Sequence, residues 1–322
     1  MIERSALKTG LTYFTVTLIV FLAAYGFPTE DTTGSLSSVP IFLSIALLAP
    51  IYIWHRRYAS RTNLGEAVEE RSKPSMMLRI LILYLLAMAV RIPSVLWFNM
   101  PYEKTPLIFL TILTIVLLEK TDSSVFGWKS SNLGASLAKG VIFYLVFGGS
   151  MLLTEYLLIY LFIGQTELGA FNTFIFLSVM PFHTLCVGIS EEGLFRGYIQ
   201  THLEKRFTFR KAILFQALAF GVWHFVWDLS PFNPFGMAIY IASTFFWGLI
   251  AGYFYGKSRN LVPLFLTHGL WNSVITGFVM DVAAQHALEG ASMSSQVLVA
   301  FLPYILSGVL TFLYIKYLVR DD

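Results

Sequence analysis

The sequence predicts an all-α fold, a polytopic transmembrane helix bundle of about 8–10 spans, and three observations carry that reading. The 322 residues are 56% hydrophobic and only 13% charged, with a mean hydropathy of +0.68, whereas soluble domains carry about 25% charged residues. Apolar windows close to the roughly 17–25 residues that cross a bilayer fall near 10–27, 39–54, 76–98, 106–118, 140–164, 172–190, 212–228, 236–256, 261–282 and 296–319. Lys and Arg, which collect in cytoplasmic loops, alternate from one side of these windows to the other.

Taken in order, Arg4 and Lys8 precede the first window, which ends near Ala23-Ala24-Tyr25-Gly26. That opening resembles a cleaved signal peptide, but the continued alternation of charge favours a retained first helix. Arg56, Arg57, Arg61, Arg71 and Lys73 follow the second window, with a polar cytoplasmic excursion from Ala59 to Lys73, and Lys120, Lys129 and Lys139 follow the fourth. Lys205, Arg206, Arg210 and Lys211 follow the sixth, Lys257 and Arg259 the eighth, and Arg320 the tenth. The intervening loops hold almost no positive charge, Lys104 being the main exception, so both termini are expected in the cytoplasm. The second and fourth windows are the shortest.

One cysteine, Cys186, excludes an intrachain disulfide and any multi-cysteine metal cluster. The net charge of +3 is explained by topology, so no nucleic-acid partner is expected; nor is a cofactor or a metal. Residues 1–130 read as N-terminal transmembrane helices carrying few ionisable groups. Residues 131–322 read as a catalytic transmembrane core, because Glu155, His183, Glu191, Glu192, Arg196, His224 and His268 all fall in or beside spans five to nine. Ionisable groups are costly in hydrocarbon and mark functional sites.

Three short motifs stand out in that core. In Ser190-Glu191-Glu192-Gly193-Leu194-Phe195-Arg196-Gly197, placed at the cytoplasmic end of span six, Glu192 and Arg196 are at i, i+4, where an ion pair forms readily; Glu191, about 100° round the axis, is left to another face. Both acids also suit a plain interfacial helix end. In Phe220-Gly221-Val222-Trp223-His224 the imidazole titrates near neutrality in water, and Asp228 is spaced either to orient it or to anchor the outer interface. In His268-Gly269-Leu270-Trp271-Asn272 an imidazole and a carboxamide share one helical stripe, suited either to a structural hydrogen bond between helices or to an oxyanion site. Together a carboxylate and a histidine to activate water, with a second histidine and an asparagine to hold an oxyanion, are a full set of parts for amide hydrolysis.

EEGLFR, FGVWH and HGLWN, in that order on successive helices over about residues 180–280, resemble the CAAX protease and bacteriocin-processing family, also called the ABI family, which includes the Ras-converting CAAX endopeptidases. The resemblance implies a glutamic intramembrane endopeptidase acting on a membrane-anchored protein or peptide within the lipid bilayer. It implies that Glu191 and His224 activate water, that His268 and Asn272 form the oxyanion site, and that Glu192 and Arg196 support Glu191. The setting expected is the plasma membrane of a prokaryote. Two features depart from the pattern. His224, counted from Ala212, stands about 18 Å along its helix, too far from a carboxylate at the cytoplasmic end unless the segment starts later, tilts or breaks. Ten spans also exceed the seven or eight usual in the family.

Other chemistries stay open on the sequence. One Glu and two His suit a zinc site with an open water position, although no HExxH pair is present. Gly188-Ile189-Ser190 with His268 suits a serine mechanism, and Cys186 with His183 a thiol one. A non-catalytic immunity factor or membrane scaffold would also keep the fold. Transport fits poorly, since no matching halves are found.

Overall fold

The computed structural model describes residues 53, 73–98, 104–115, 123–129, 132–164, 169–280 and 290–319. The window at 10–27, most of that at 39–54, and with them the fate of the first helix, lie outside the described residues. Within them the chain is an all-α bundle: α1 (Lys73–Phe98), α2 (Lys104–Leu113), α3 (Leu133–Phe162), α4 (Thr173–Glu204), α5 (Phe209–Val222), α6 (Pro234–Ser258), α7 (Val262–Gly277) and α8 (Met293–Leu318). Among the described residues α1, α3, α4, α6 and α8 each contain a stretch long and apolar enough to cross a membrane. Large apolar side chains such as Leu153, Leu161, Val309 and Leu318 face outward, as a lipid-solvated surface requires. Phe143, Phe195, Trp223, Phe254 and Tyr255 fill the interior.

Two boundaries differ from the expected windows. The sixth span does not stop at residue 190 but continues as helix to Glu204. The apolar window closes early because this extension is polar, yet its side chains are satisfied inside the protein. Gln200 Nε2 donates to the Gly252 carbonyl at 2.8 Å, Thr201 Oγ1 meets the Tyr255 hydroxyl at 2.7 Å, and His202 Nδ1 lies 2.8 Å from the Tyr198 carbonyl. The seventh span starts at Phe209, ends at Val222 and is followed by a 3₁₀ turn over Phe225–Asp228.

These two changes remove the depth problem. Helices α4 and α5 climb from one short turn at 205–208 and pack against each other. At roughly 1.5 Å per residue, Glu191 is about 20 Å back from Glu204 and His224 about 22 Å on from Phe209, so both stand at one depth.

A helix that ends away from water must find partners for its last carbonyls. Here Tyr84 Oη donates to the Ala219 carbonyl at 3.0 Å, Arg91 Nε to that of Trp223 at 3.1 Å, and His224 Nδ1 lies 2.9 Å from that of Phe220. Two of these three partners come from α1.

Helices α4 and α7 run antiparallel. Three-residue strands β1 (Gly169–Phe171) and β2 (Phe278–Met280) pair antiparallel, with Phe171 opposite Phe278, at the start of α4 and the end of α7. Further along, a Cβ on Gly188 would lie 2.6 Å from the Phe265 carbonyl oxygen, and one on Gly269 would lie 2.5 Å from Thr184 Cα. Only glycine permits that approach, which is the small-residue contact by which membrane helices pack closely.

Candidate active site

Glu191 and Glu192 belong to a short α-helical stretch, Ile189–Glu192, set between π-helical turns at His183–Gly188 and Gly193–Gln200. Such turns are frequent at functional sites because they re-aim side chains without ending the helix. Both carboxylates are buried, at 1% and 0% exposure. Side chains on helices lean toward their own N-termini, so in the antiparallel α4–α7 pair those of Glu191 and His268 lean toward each other.

The two oxygens of Glu191 have unlike surroundings. Oε1 accepts from Lys104 Nζ and, at 3.0 Å, from Trp223 Nε1, with Arg91 NH1 at 3.9 Å. Oε2 has no hydrogen-bond partner; His268 Nε2 lies 3.6 Å from it and His224 Nε2 3.9 Å. Glu192 takes the second nitrogen of His268, with Nδ1 to Oε1 at 2.7 Å, and it also receives Trp247 Nε1 at 3.3 Å and Arg196 NH1 at 3.2 Å. The expected Glu192–Arg196 pair is therefore present in the structure, with the Arg196 guanidinium lying over the Phe220 ring at 4.2 Å.

These partners assign the rings. A carbonyl only accepts, so His224 Nδ1 carries hydrogen toward Phe220, and its Nε2 is left as an acceptor in the neutral ring. His268 Nδ1 likewise donates to Glu192. Its Nε2 then donates only when the ring is cationic, with Glu191 and Glu192 on either side to offset the charge.

A cavity of about 400 Å³ opens over this group, lined among others by Arg91, Lys104, Glu191, His224, His268 and Asn272. Asn272, one turn on from His268, is half-buried in that wall. The structure thus brings Glu191, His224, His268 and Asn272 to one cavity. Glu192 and Arg196 stand behind Glu191 and His268, outside the lining.

The residues of the alternative chemistries have other surroundings. Asp228 does not receive His224 Nδ1, which is held by the Phe220 carbonyl instead. Ser190 Oγ donates to its own helix, to the Val187 carbonyl at 3.0 Å; Cys186 is buried, and His183 Nδ1 meets Ser273 Oγ at 3.1 Å. Among the described residues no group of three or more His, Cys, Asp or Glu is placed to hold a metal ion.

Sequence reasoning passed over Arg91, Lys104, Trp223 and Trp247. Lys104 had a signal, as the exception to the charge alternation. Arg91 had one too, as a cation inside an apolar window.

Residues 171–274 match the family model described as Type II CAAX prenyl endopeptidase Rce1-like. This is the family that the three motifs resemble. The matched stretch contains all four residues expected in catalysis. Comparison with curated proteins and with solved structures gave no match.

Proposed function

We propose that this integral membrane protein is a glutamic-type intramembrane endopeptidase cutting a membrane-anchored protein or peptide. The observation that carries the reading is the meeting of one unbonded carboxylate oxygen, Glu191 Oε2, with two imidazole Nε2 atoms at 3.6 and 3.9 Å in a cavity of about 400 Å³. Those spans are too long for direct hydrogen bonds and suit a bridging water. The water gives its proton to the Glu191–His224 pair while its oxygen attacks the scissile carbonyl carbon. Asn272 and cationic His268 donate to the oxyanion that forms. When the tetrahedral species collapses, the C–N bond breaks and the stored proton passes to the leaving amine.

The matched family's description makes a prenylated CAAX peptide the first probe. Wild-type protein in detergent is expected to cleave it, with and without exhaustive chelation, while Glu191→Gln does not. Cleavage by Glu191→Gln at the wild-type rate with a dead Ser190→Ala, or loss of activity on chelation restored by zinc, would replace this mechanism with a serine or metal one. A folded Glu191→Gln variant that keeps a cellular phenotype would favour a scaffold or immunity role.

The turn at 205–208 is proposed to be cytoplasmic, with the site about 20 Å into the membrane. Lys205 is exposed; a Lys205→Cys variant is expected to resist an impermeant thiol reagent on intact cells of a prokaryotic host and to react in inverted vesicles. Labelling from outside would reverse the sidedness.

A further inference from the structure

Lys104 and Trp223 have no place in the reaction so far, yet both end on the same atom. Lys104 is 3% exposed and Trp223 fully buried. Nζ of the one and Nε1 of the other donate to Oε1 of Glu191, while Oε2 receives no donor. The indole is itself fixed: the Arg91 guanidinium lies 4.5 Å above its ring and bonds its backbone carbonyl, and Tyr84 packs on it at 6.1 Å. Lys104 opens α2, which packs against the stretch of α4 bearing the carboxylates. It comes from outside the residues that match the family model.

A carboxylate on a two-carbon stem rotates freely between equivalent oxygens unless something distinguishes them. Two donors, one at the start of α2 and one just past the end of α5, do so here. We propose that Lys104 and Trp223 are positioning residues that pin Oε1 of Glu191, so that Oε2 alone faces His224 and His268. This rests on the glutamate mechanism proposed above and explains why the carboxylate presents one oxygen and not either. It also gives a reason for a lysine inside a loop set otherwise kept clear of positive charge.

The test uses full-length protein in detergent and the prenylated CAAX peptide. Lys104→Met keeps the stem and removes the donor; Trp223→Phe keeps most of the ring and removes the N–H. Each is expected to lower kcat by about 10–100-fold, the range seen when a supporting partner of a reactive ligand is lost, with KM within about threefold. Because both donors act on one oxygen, the double variant should fall short of the product of the two losses. Lys104→Arg should recover part of kcat, and ethylammonium chloride should recover part of the kcat of Lys104→Ala but none of that of Glu191→Gln.

A wild-type kcat in both Lys104→Met and Trp223→Phe, beside a dead Glu191→Gln, would overturn the proposal and leave the glutamate mechanism standing. Loss of kcat that tracks a fall in Tm and that neither arginine nor ethylammonium recovers would make Lys104 merely structural, and overturn it as well. An active Glu191→Gln, or wild-type protein that cleaves no membrane-anchored peptide, would instead remove the parent mechanism.

Discussion

Glu191 and Glu192 are consecutive and equally buried, yet the regions on their two sides differ. On the Glu191 side the partners come from distant helices, Lys104 of α2, Arg91 of α1 and Trp223 at the broken end of α5, and one oxygen is left facing a cavity. On the Glu192 side the first partner is Arg196 on the same helix, joined by His268 and Trp247, and the group lies behind the cavity wall. The chemistry of a carboxylate is set by what surrounds it, so two identical residues are proposed to differ in task, since one lines the cavity and the other lies behind its wall. Burying either charge without partners would be costly. The fold meets that demand in two ways, one leaving a lone pair for chemistry and one directing its donors to the support of His268.

The comparison can be broken or sharpened by substitution. The largest effect is expected from Glu191→Gln or His224→Ala, each lowering cleavage by about 10⁴-fold if acid–base chemistry is lost; because the two act as a unit, the double variant should be hardly worse than either alone. Equal losses from Glu191→Gln and Glu192→Gln in folded protein would erase the distinction between the two sides. Asn272→Ala should cost about 10²–10³-fold in kcat, as when one oxyanion donor is removed, and a loss confined to KM would move Asn272 from oxyanion to substrate binding.

Smaller again, Glu192→Gln should lower kcat by about 10–100-fold through a misaimed His268, and should also lower Tm, since Arg196 loses its buried partner. Exchanging the pair, Glu192→Arg with Arg196→Glu, should regain Tm over either single change but not kcat, because the acid no longer meets His268 Nδ1. Recovery of both would reduce Glu192 to a charge partner. Smallest in activity, Gly269→Ala should destabilise by about 1–3 kcal/mol from overpacking against Thr184, read as a lower unfolding temperature in detergent.

Much of this was legible in the residues. Hydropathy is a property of windows, so the bundle and, among the described residues, five of the ten expected spans could be read directly; Glu191, His224, His268 and Asn272, polar groups on apolar helices, could be singled out from the sequence, and they line one cavity. What composition hides is how a polar stretch is satisfied. Gln200, Thr201 and His202 look like the end of a span, yet they continue α4 because Gly252, Tyr255 and Tyr198 receive them. Arg91 was hidden for the opposite reason: one cation among many apolar neighbours leaves the window intact, and its partners Trp223 and Glu191 lie more than a hundred and thirty and about a hundred positions away. The break after Val222 has no strong local signal, because two of the three groups that donate to its last carbonyls belong to α1.

The pairing of β1 with β2 is small, three residues on each side, but it closes the chain between them into a loop pinned at its neck, with Asn172 N donating to the Gly277 carbonyl at 2.7 Å. Everything expected to perform chemistry lies inside that loop, and the stretch that matches the family model begins at 171 and ends at 274, almost at the neck itself. The stretch that matches the family model thus nearly coincides with the stretch that this pairing closes. The helices before the neck supply Arg91 and Lys104, so a carboxylate inside the loop is gripped by side chains from outside it.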